Sequence, residues 1–316
     1  MTARLIMKMN VVDVRTTGED VRVLTLQHPR RPLLPDPSPG SHVDVRLPDG
    51  KVRQYSLCGD PGDPRTYRIA VKREPEGRGG SRWIHAHLTE GAVAHVSAPR
   101  NNFPIAADAA HHLLIAGGIG ITPLAAMAYR LRRERKRFTL HYCARNPARA
   151  PLLLEMRTIC DDRLHTWFSD GGAACRFDAA AALADRPEGA HVYCCGPGRL
   201  VEAVRSATAH WPEGSVHFEH FAPLGQDGFE PAPFEICIAS TGRTYEVPAG
   251  RTALEVLREN GFSLPSSCEL GVCGSCECGY SAGTVIHRDV VLEPAARRTR
   301  MLLCVSRAEG QVVLEL

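Results

Sequence analysis

Four cysteines near the end of the chain constrain its fold more than any other feature. Cys268, Cys273 and Cys276 follow the spacing C-x4-C-x2-C, and Cys304 lies further on, within the sequence LLCVS. One tight loop can present three thiolates while a strand behind it supplies a fourth, which is the plant-type spacing for a [2Fe–2S] cluster. The sequence therefore predicts an iron–sulfur centre held by these four cysteines.

Two glycines in the same loop, Gly271 and Gly274, support this interpretation. They would let backbone N–H groups approach the sulfur atoms, and such hydrogen bonds tune a cluster's reduction potential. A zinc site is the alternative, but zinc sites favour paired C-x2-C elements, and the second pair is missing here. Cys278 lies outside the spacing and is interpreted as a structural thiol.

The rest of the chain has the composition of an ordinary globular protein. Its 316 residues are 44% hydrophobic and 23% charged, with a net charge of +3. This excludes extensive disorder and gives no reason to expect nucleic acid or an anionic membrane as a partner. The N-terminal residues lack a secretory pattern, and the longest uncharged run, residues 113–129, is typical of a strand, a turn and a helix. We therefore expect a soluble, cytoplasmic protein.

The pattern of hydrophobic residues changes along the chain and indicates three domains. Residues 1–105 alternate short apolar runs with turn residues, which is typical of a small antiparallel β-barrel. Residues 106–224 alternate strands with helices, which predicts βαβ units and a parallel sheet. Residues 225–233 are rich in proline and glycine and are interpreted as a linker. Residues 234–316 carry two strands, a helix capped by Thr252, the cysteine loop and a closing strand over Gln311–Leu316.

Two segments of the first domain suit a flavin nucleotide. Arg53, Tyr55 and Ser56 end a predicted strand in RQYSL and offer a cation, a flat ring and a hydroxyl. The sequence GRGGS, residues 77–81, adds a second cation, Arg78, in a flexible loop suited to a phosphate. Taken alone, RQYSL is more often a plain strand with a surface arginine, and GRGGS is as often an ordinary loop.

A glycine turn in the second domain suits a dinucleotide. The sequence GGIGITP, residues 117–123, follows a predicted strand, and Gly118 and Gly120 would let a pyrophosphate approach a helix N-terminus. Thr122 is expected to cap that helix and Pro123 to be its first residue. The spacing differs from GxGxxG, which excludes a simple Rossmann fingerprint. A bare glycine turn is the alternative.

Other candidate residues lie where strands of such a sheet would end. Cys195, Gly196 and Pro197 close the strand in VYCCGP, and ligands bind at this edge of an open α/β sheet. Asp170 follows the strand LHTWF, where a carboxylate could bind the adenosine ribose hydroxyls and disfavour a 2′-phosphate. Buried thiols and a simple turn aspartate are the respective alternatives.

A dense basic run, RRERKR at residues 132–137, ends the helix predicted over residues 123–137. Such a run is usually a solvated face that complements the helix dipole. A docking patch for an acidic partner or a phosphate is the alternative.

Together these motifs resemble one family of reductases. The sequence is similar to the phthalate dioxygenase reductase family, which includes the vanillate demethylase reductases and serves two-component Rieske oxygenases. The resemblance spans essentially the whole chain and is specific in combination, although most motifs are weak singly. The matching segments are RQYSL (53–57), AVKR (70–73), GRGGS (77–81), GGIGITP (117–123), YCCGP (193–197), HFEHF (217–221) and the cysteine loop.

The resemblance implies a multidomain fold with three cofactor sites. An FMN-binding antiparallel Greek-key β-barrel would be followed by an NAD-binding α/β parallel-sheet domain and a C-terminal β-grasp ferredoxin domain with a plant-type cluster. It implies FMN rather than FAD, because family members with a C-terminal ferredoxin and a GRGGS loop use FMN. NADH would deliver a hydride to FMN, which would pass single electrons to the [2Fe–2S] cluster.

The resemblance also implies roles for individual residues. Tyr55 and Ser56 would contact the flavin ring, and Arg53 and Arg78 its phosphate. Phe221 would cover the flavin face that nicotinamide approaches, with Cys195 near the nicotinamide. Further expected cofactor contacts are Gln54, Ala70, Val71 and Lys72 (the last three through the backbone), Gly79, Gly80, Ser81, Gly118, Gly120, Thr122, Pro123, Asp170, Gly196 and Pro197.

These inferences predict an NADH-dependent oxidoreductase that is the electron-transfer component of an oxygenase. Its partner would be a Rieske-type oxygenase acting on an aromatic acid or a methyl ether, and the protein itself is expected to be a monomer. Two other classes stay open. One is a non-redox zinc-binding or scaffold protein, which the intact glycine turns oppose. The other is a self-contained NAD(P)H-dependent oxidoreductase acting on a small molecule, which the lack of a proton-shuttling motif and of a haem module opposes.

Overall fold

The computed structural model describes residues 5–221 and 229–316. The chain forms two compact units that divide after Glu219. Of the predicted linker, only residues 229–233 are described, and they form no regular secondary structure. Within the described ranges, none of the helices is long and apolar enough to cross a membrane.

The first unit begins with the predicted antiparallel barrel. Its strands pair in the order β4-β3-β6-β1-β2-β5, with β7 beside β3. An isolated bridge between Leu57 and Ile69 brings the edge strands β4 and β5 together and closes the barrel. The elements are β1 (Ile6–Thr16), β2 (Val21–Gln27), β3 (Ser41–Arg46), β4 (Val52–Ser56), β5 (Thr66–Lys72), helix α1 (Gly80–His87), β6 (Val93–Ser97) and β7 (Arg100–Asn101).

Alternation of side chains explains why these segments form strands around a core. In β1, Met7, Met9 and Val11 are buried while the residues between them are more exposed, as the period of two along a strand requires. The inward residues of β2, β3 and β5 join the same cluster, as does Ile84 of α1. The apolar runs seen in the sequence therefore line the barrel interior.

The second part of the same unit is the predicted parallel sheet. All of its strands are parallel and lie in the order β10-β9-β8-β11-β12. The chain crosses from one side of β8 to the other, so the strand order reverses between β8 and β11. The elements are β8 (His111–Gly117), α2 (Ile121–Arg133), β9 (Phe138–Ala144), α3 (Leu153–Cys160), β10 (Leu164–Phe168), α4 (Ala179–Leu183), β11 (Ala190–Cys195), α5 (Gly198–Ala207) and β12 (Val216–Glu219).

The barrel and the parallel sheet pack against each other. Val21, Val23 and Cys58 of the barrel segment share a buried cluster with residues of α2, α3 and β8. The Arg68 guanidinium of β5 binds the Glu155 carboxylate of α3 through two N–H···O bonds of 3.0 and 2.8 Å. Packing is therefore continuous across residue 105, and the proposed domain boundaries stay predictions.

The second unit contains a five-stranded sheet and one helix. The strands lie in the order β14-β13-β17-β15-β16, with β13 and β17 parallel. Thr252 caps the helix as predicted, since its hydroxyl accepts from the Glu255 amide and the Glu255 carboxylate accepts from the Thr252 amide. The elements are β13 (Phe234–Ile238), β14 (Thr244–Val247), α6 (Ala253–Glu259), β15 (Glu277–Ile286), β16 (Arg300–Leu302) and β17 (Arg307–Leu314).

Several local predictions need correction. Helix α2 begins at Ile121 rather than Pro123, and it ends at Arg133 because the chain turns at Arg135 with φ 55°. Only the first two residues of the basic run are helical, and both form ion pairs: Arg132 with Asp161 and Arg133 with Asp60. These contacts favour the solvated-face interpretation over a docking patch. Strands β15 and β16 were missed.

Candidate functional site

The strand order reverses between β8 and β11, and in open α/β sheets a crevice is expected at such a reversal. Two glycine-containing loops follow these strands. A Cβ on Gly120 would lie 2.2 Å from the Cys195 carbonyl oxygen, and a Cβ on Gly117 would lie 2.6 Å from Pro197 Cδ. Real Cβ atoms do not approach so closely, so both positions require glycine. The loops after β8 and β11 therefore press together at the place where open α/β sheets bind ligands.

Helix α2 starts from this crevice, but its first turn differs from the prediction. Its N-cap is Gly120, and no side chain caps the helix. The Thr122 hydroxyl instead donates to the Ile119 carbonyl, over 3.1 Å, and Pro123 is the third helical residue. Thr122 is thus buried inside the first turn rather than capping it. A 3-10 turn, Gly118–Gly120, leads directly into α2, and the Ile121 amide donates to carbonyl oxygens of that turn. The helical run therefore begins at the glycines, where its first amides can meet an anionic group.

A buried tyrosine is hydrogen-bonded to the glycine loop that follows β8. The Tyr142 hydroxyl in β9 lies 3.2 Å from the Gly118 carbonyl oxygen and 2.7 Å from the Pro151 carbonyl oxygen. Tyr142 is fully buried, so these bonds satisfy a hydroxyl that burial would otherwise penalise. Sequence reasoning assigned Tyr142 no role, because a tyrosine in a predicted core strand does not reveal which groups its hydroxyl bonds.

At one end of the barrel, Arg53 lies across the N-terminus of α1. A Cβ on Gly80 would lie 2.6 Å from Arg53 Nε, and Arg53 Nη2 donates to the Arg78 carbonyl over 3.2 Å. Gly79 caps the helix with φ 84° and contributes no side-chain hydrogen bond. RQYSL and GRGGS therefore form one region in which two arginines flank a helix N-terminus, and that arrangement suits a phosphate.

Ser56, at the end of β4, contacts the end of the parallel sheet. Its hydroxyl donates to Glu219 Oε2 at 3.5 Å, a long hydrogen bond. Cys195 lies beside Glu219 in the sheet, because the two residues are register partners in β11 and β12. The barrel strand with the predicted flavin contacts thus meets the strand ends with the predicted nicotinamide contact.

Glu219 is a second residue that sequence reasoning missed. Burial raises the pKa of its carboxyl group to about 8, although the hydrogen bond from Ser56 opposes that shift. Burial also raises the pKa of the Cys195 thiol well above its usual range, helped by the Glu219 charge. Glu219 lies within HFEHF, so the motif was noticed without the function of its central carboxyl group.

The remaining predicted contacts are dispersed. The Val71 carbonyl already lies 2.8 Å from His85 Nε2, and the Lys72 ammonium binds the Glu74 carboxylate over 2.6 Å. Asp170 is exposed just beyond β10, where its Oδ2 accepts a 2.9 Å hydrogen bond from Asn146 Nδ2. Phe221 is 40% exposed, two residues beyond Glu219. Their roles toward a cofactor stay predictions.

In the second unit the four predicted ligand cysteines come together as two pairs. The Cys268 thiol donates to Cys273 Sγ over 3.0 Å, and Cys276 and Cys304 are hydrogen-bonded to each other. The bond from Cys268 lowers the pKa of Cys273 and thereby favours its thiolate form. Two sulfur pairs fit a centre with two iron atoms. Within the described ranges, no three His, Cys, Asp or Glu side chains gather where they could hold one metal ion.

Backbone donors surround these sulfur atoms. The Leu270 amide donates to Cys268 Sγ over 3.3 Å, and the Gly271 amide donates to Cys304. Gly271 has φ 74°, and its carbonyl accepts from the Val290 amide over 3.1 Å. Cys304 lies in the turn after β16 rather than on a strand. Cys278 is hydrogen-bonded to the Gly279 carbonyl instead of a ligand sulfur.

Comparison with known proteins agrees with this geometry. A family model described as a 2Fe-2S iron-sulfur cluster binding domain matches residues 236–309. The phenoxybenzoate dioxygenase subunit beta of Ectopseudomonas oleovorans is 44% identical over 95% of this chain and 94% of its own length. The vanillate O-demethylase oxidoreductase of Pseudomonas sp. (strain HR199 / DSM 7063) is 39% identical over 96% of this chain and 98% of its own.

Solved structures resemble this chain over nearly its whole length. A phthalate dioxygenase reductase, described as a modular structure for electron transfer from pyridine nucleotides to [2Fe-2S], matches with a TM-score of 0.78 and 38% identity over 98% of both chains. A type IV self-sufficient cytochrome P450 monooxygenase matches with a TM-score of 0.83 and 37% identity, over 98% of this chain and 41% of its own. The chain belongs to the phthalate dioxygenase reductase family, as its motifs predicted.

The raised pKa of Glu219 predicts a pH-dependent stability. The unfolded carboxyl group titrates near its ordinary value of 4.5, whereas the folded group keeps its proton up to about 8. Between these values the unfolded state releases a proton that the folded state retains, so the contribution of Glu219 to stability falls as pH rises. Glu219→Gln should therefore flatten the decline of the urea unfolding midpoint between pH 5 and pH 8.

Glu202→Gln, on the exposed surface of α5, is the matched control and should leave the slope unchanged. Equal slopes for wild type and Glu219→Gln would contradict the assignment of a neutral carboxyl group to position 219.

Proposed function

We propose that the protein takes hydride from NADH onto FMN and passes single electrons through a [2Fe–2S] cluster to an oxygenase. The contact between Ser56 and Glu219 carries this proposal, because it joins the barrel strand β4 to the ligand-binding edge of the parallel sheet. A flavin held along β4 and a nicotinamide held at Cys195 would therefore meet at one point. Membership of a family of oxygenase reductases supports the same activity.

The barrel offers a site that fits FMN. Arg53 and Arg78 flank the N-terminus of α1, so a terminal phosphate there would gain two cations and the helix dipole. Tyr55 and Ser56 follow Arg53 along the same strand and would meet the ring. When bound, FMN accepts a hydride as two electrons and releases those electrons one at a time.

Ser56 and Glu219 would hold a proton beside the flavin ring. At neutral pH the Glu219 carboxyl group keeps its proton, because its pKa is about 8. A protonated carboxyl group next to the Ser56 hydroxyl can pass its proton toward the flavin through that hydroxyl, and the carboxylate that remains would take a proton back when the flavin is reoxidised. We assign the pair to proton exchange with the flavin, and Phe221 to covering its face.

The crevice between β8 and β11 would hold the dinucleotide. The pyrophosphate would lie against Gly118, Gly120 and the uncapped N-terminus of α2, which offers positive potential without a side chain in the way. The nicotinamide would lie near Cys195, whose neutral thiol adds no charge there. Asp170 would accept hydrogen bonds from the adenosine ribose.

The cysteine loop would hold the cluster through Cys268, Cys273, Cys276 and Cys304. Each sulfur pair would bind one iron, and the amides of Leu270 and Gly271 would donate to sulfur atoms and so stabilise added negative charge. In functional terms, residues 1–105, 106–224 and 234–316 would be the flavin, dinucleotide and ferredoxin domains.

We propose a Rieske-type oxygenase as the electron acceptor and a monomeric reductase as its donor. Relatives named for dioxygenation and O-demethylation support an acceptor that attacks an aromatic acid or a methyl ether. A haem oxygenase is the second candidate, because the part of a self-sufficient cytochrome P450 monooxygenase that matches this chain, 41% of its length, is 37% identical to it. Stopped-flow mixing of the NADH-reduced protein with each acceptor class would distinguish them.

Replacing Cys304, the proposed fourth ligand, should separate electron transfer to FMN from electron transfer through the cluster. We expect Cys304→Ser to lose cluster absorbance while keeping FMN and NADH-dependent reduction of ferricyanide, because its position is remote in sequence from the flavin motifs. Reduction of a one-electron protein acceptor should be lost with the cluster. Visible absorption and iron content provide the measurement.

Cys278→Ser is the matched control, since this buried thiol lies two residues from Cys276 but outside the sulfur pairs. It should retain the cluster. An unchanged cluster in Cys304→Ser, or its loss in Cys278→Ser instead, would show that the ligand assignment is wrong.

Asp170 should set the preference for NADH. Asp170→Ala removes a carboxylate that would bind the ribose hydroxyls and repel a 2′-phosphate, so the ratio of kcat/KM for NADH over NADPH should fall by about tenfold. Asp162→Ala changes another exposed aspartate just before β10 and should leave the ratio unchanged. An unaltered ratio in Asp170→Ala would remove this residue from the nucleotide site.

A further inference from the structure

One residue of the cysteine loop has an unusual backbone conformation. Glu269 follows the first predicted ligand, Cys268, and has φ 54°. This left-handed region favours glycine, and a side chain there costs free energy. Gly271 and Gly274 make the other left-handed turns of the loop with φ 74° and 73°. A glutamate at the first such turn therefore needs a compensating interaction.

The Glu269 side chain has that interaction with helix α6. Arg258 Nη1 donates to Glu269 Oε1 over 3.0 Å, and the Ser266 hydroxyl donates to the same oxygen over 2.8 Å. Arg258 Nη2 also donates to the Leu264 carbonyl over 2.8 Å and to Ser266 Oγ over 2.6 Å. One guanidinium thus binds the chain on both sides of Cys268.

The turn at Glu269 has a direct consequence for the ligand sulfur. It directs the next amide, that of Leu270, back to Cys268 Sγ at 3.3 Å. Amide donors to ligand sulfurs stabilise the negative charge that an iron–sulfur cluster gains on reduction. Whatever fixes Glu269 in the left-handed region therefore fixes an amide that tunes the cluster.

We propose that Arg258 and Glu269 form a positioning pair that shapes the cysteine loop before and after the cluster binds. The pair holds Cys268 and the Leu270 amide in their binding geometry, and so raises both the retention of iron and the reduction potential. The proposal rests on the proposed [2Fe–2S] site and adds to it two residues that are not ligands.

The proposed role of Arg258 and Glu269 depends on directed hydrogen bonds rather than on charge attraction. Arg258 and Glu269 are each 39% exposed in their side chains, and an exposed ion pair contributes little by attraction alone. The guanidinium, however, makes three directed contacts at once, which the point charge of a lysine cannot reproduce. Arg258→Lys therefore keeps the charge and removes the positioning.

The test compares full-length wild type with Arg258→Lys under anaerobic conditions. We expect iron release to a chelator to become about tenfold faster, and the cluster potential, followed by electron paramagnetic resonance, to become more negative. Arg251→Lys is the matched control, because Arg251 binds Glu259 on the same helix without contacting the cysteine loop. It should behave as wild type in both measurements.

A second comparison tests the backbone argument. Glu269→Ala keeps the strained turn and loses its anchor, whereas Glu269→Gly loses the anchor and relieves the strain. We expect faster iron release from Glu269→Ala than from Glu269→Gly. Equal rates in this pair, or wild-type behaviour of Arg258→Lys in both release and potential, would overturn the proposal.

A third readout separates this proposal from the proposed function. Hydrogen–deuterium exchange of residues 266–276 in the iron-free full-length protein should be faster in Arg258→Lys than in wild type or Arg251→Lys. If wild type never acquires a cluster after reconstitution, the proposed function fails, and this exchange measurement still decides whether the pair shapes the loop. Unchanged exchange would overturn the proposal.

Discussion

The packing of the barrel against the parallel sheet organises the first unit, and a carboxyl group lies where the two sheets meet. Glu219 ends β12 of the parallel sheet, and its carboxyl oxygen accepts from Ser56 at the end of the barrel strand β4. The contact places the end of the barrel strand β4 against the end of the parallel strand β12. Burial at this position raises the pKa of the Glu219 carboxyl group to about 8, although the hydrogen bond from Ser56 opposes that shift. This raised pKa is the basis for the proposed proton exchange between the carboxyl group and a flavin.

Sequence reasoning predicted the features that repeat or follow a fixed spacing. Strand β10 and the Thr252 cap were predicted residue for residue, because alternation and capping are local signals. Strand β15 was missed, since its sequence ECGYSAGTVI contains two glycines and little alternation. The start of α2 at Ile121 depends on how Gly120 packs against Cys195, and no local pattern encodes that contact. Glu219 was missed for the same reason, because its partner Ser56 lies on a barrel strand that is distant in the sequence.

In both units, glycines orient backbone amides toward the place of an anionic group. At the crevice, glycines let backbone approach backbone, and a helical run begins there whose amides suit an anionic group. In the cysteine loop, glycines and one braced glutamate turn amides toward sulfur. Both sites present backbone N–H donors to anionic groups. Such donors depend little on which side chains are present. The motifs are therefore short and individually weak. Their order along the chain is what identifies the phthalate dioxygenase reductase family.

Anaerobic titration with NADH, followed by visible absorption, tests the central claim most directly. The account predicts flavin bands together with a broad iron–sulfur shoulder, and bleaching of both. It further predicts that full reduction consumes more than one equivalent of NADH per protein, because the cluster accepts an electron beyond those the flavin holds. A protein that stays colourless after reconstitution with FMN, iron and sulfide, or flavin bleaching that leaves the cluster oxidised with excess NADH, would contradict the account.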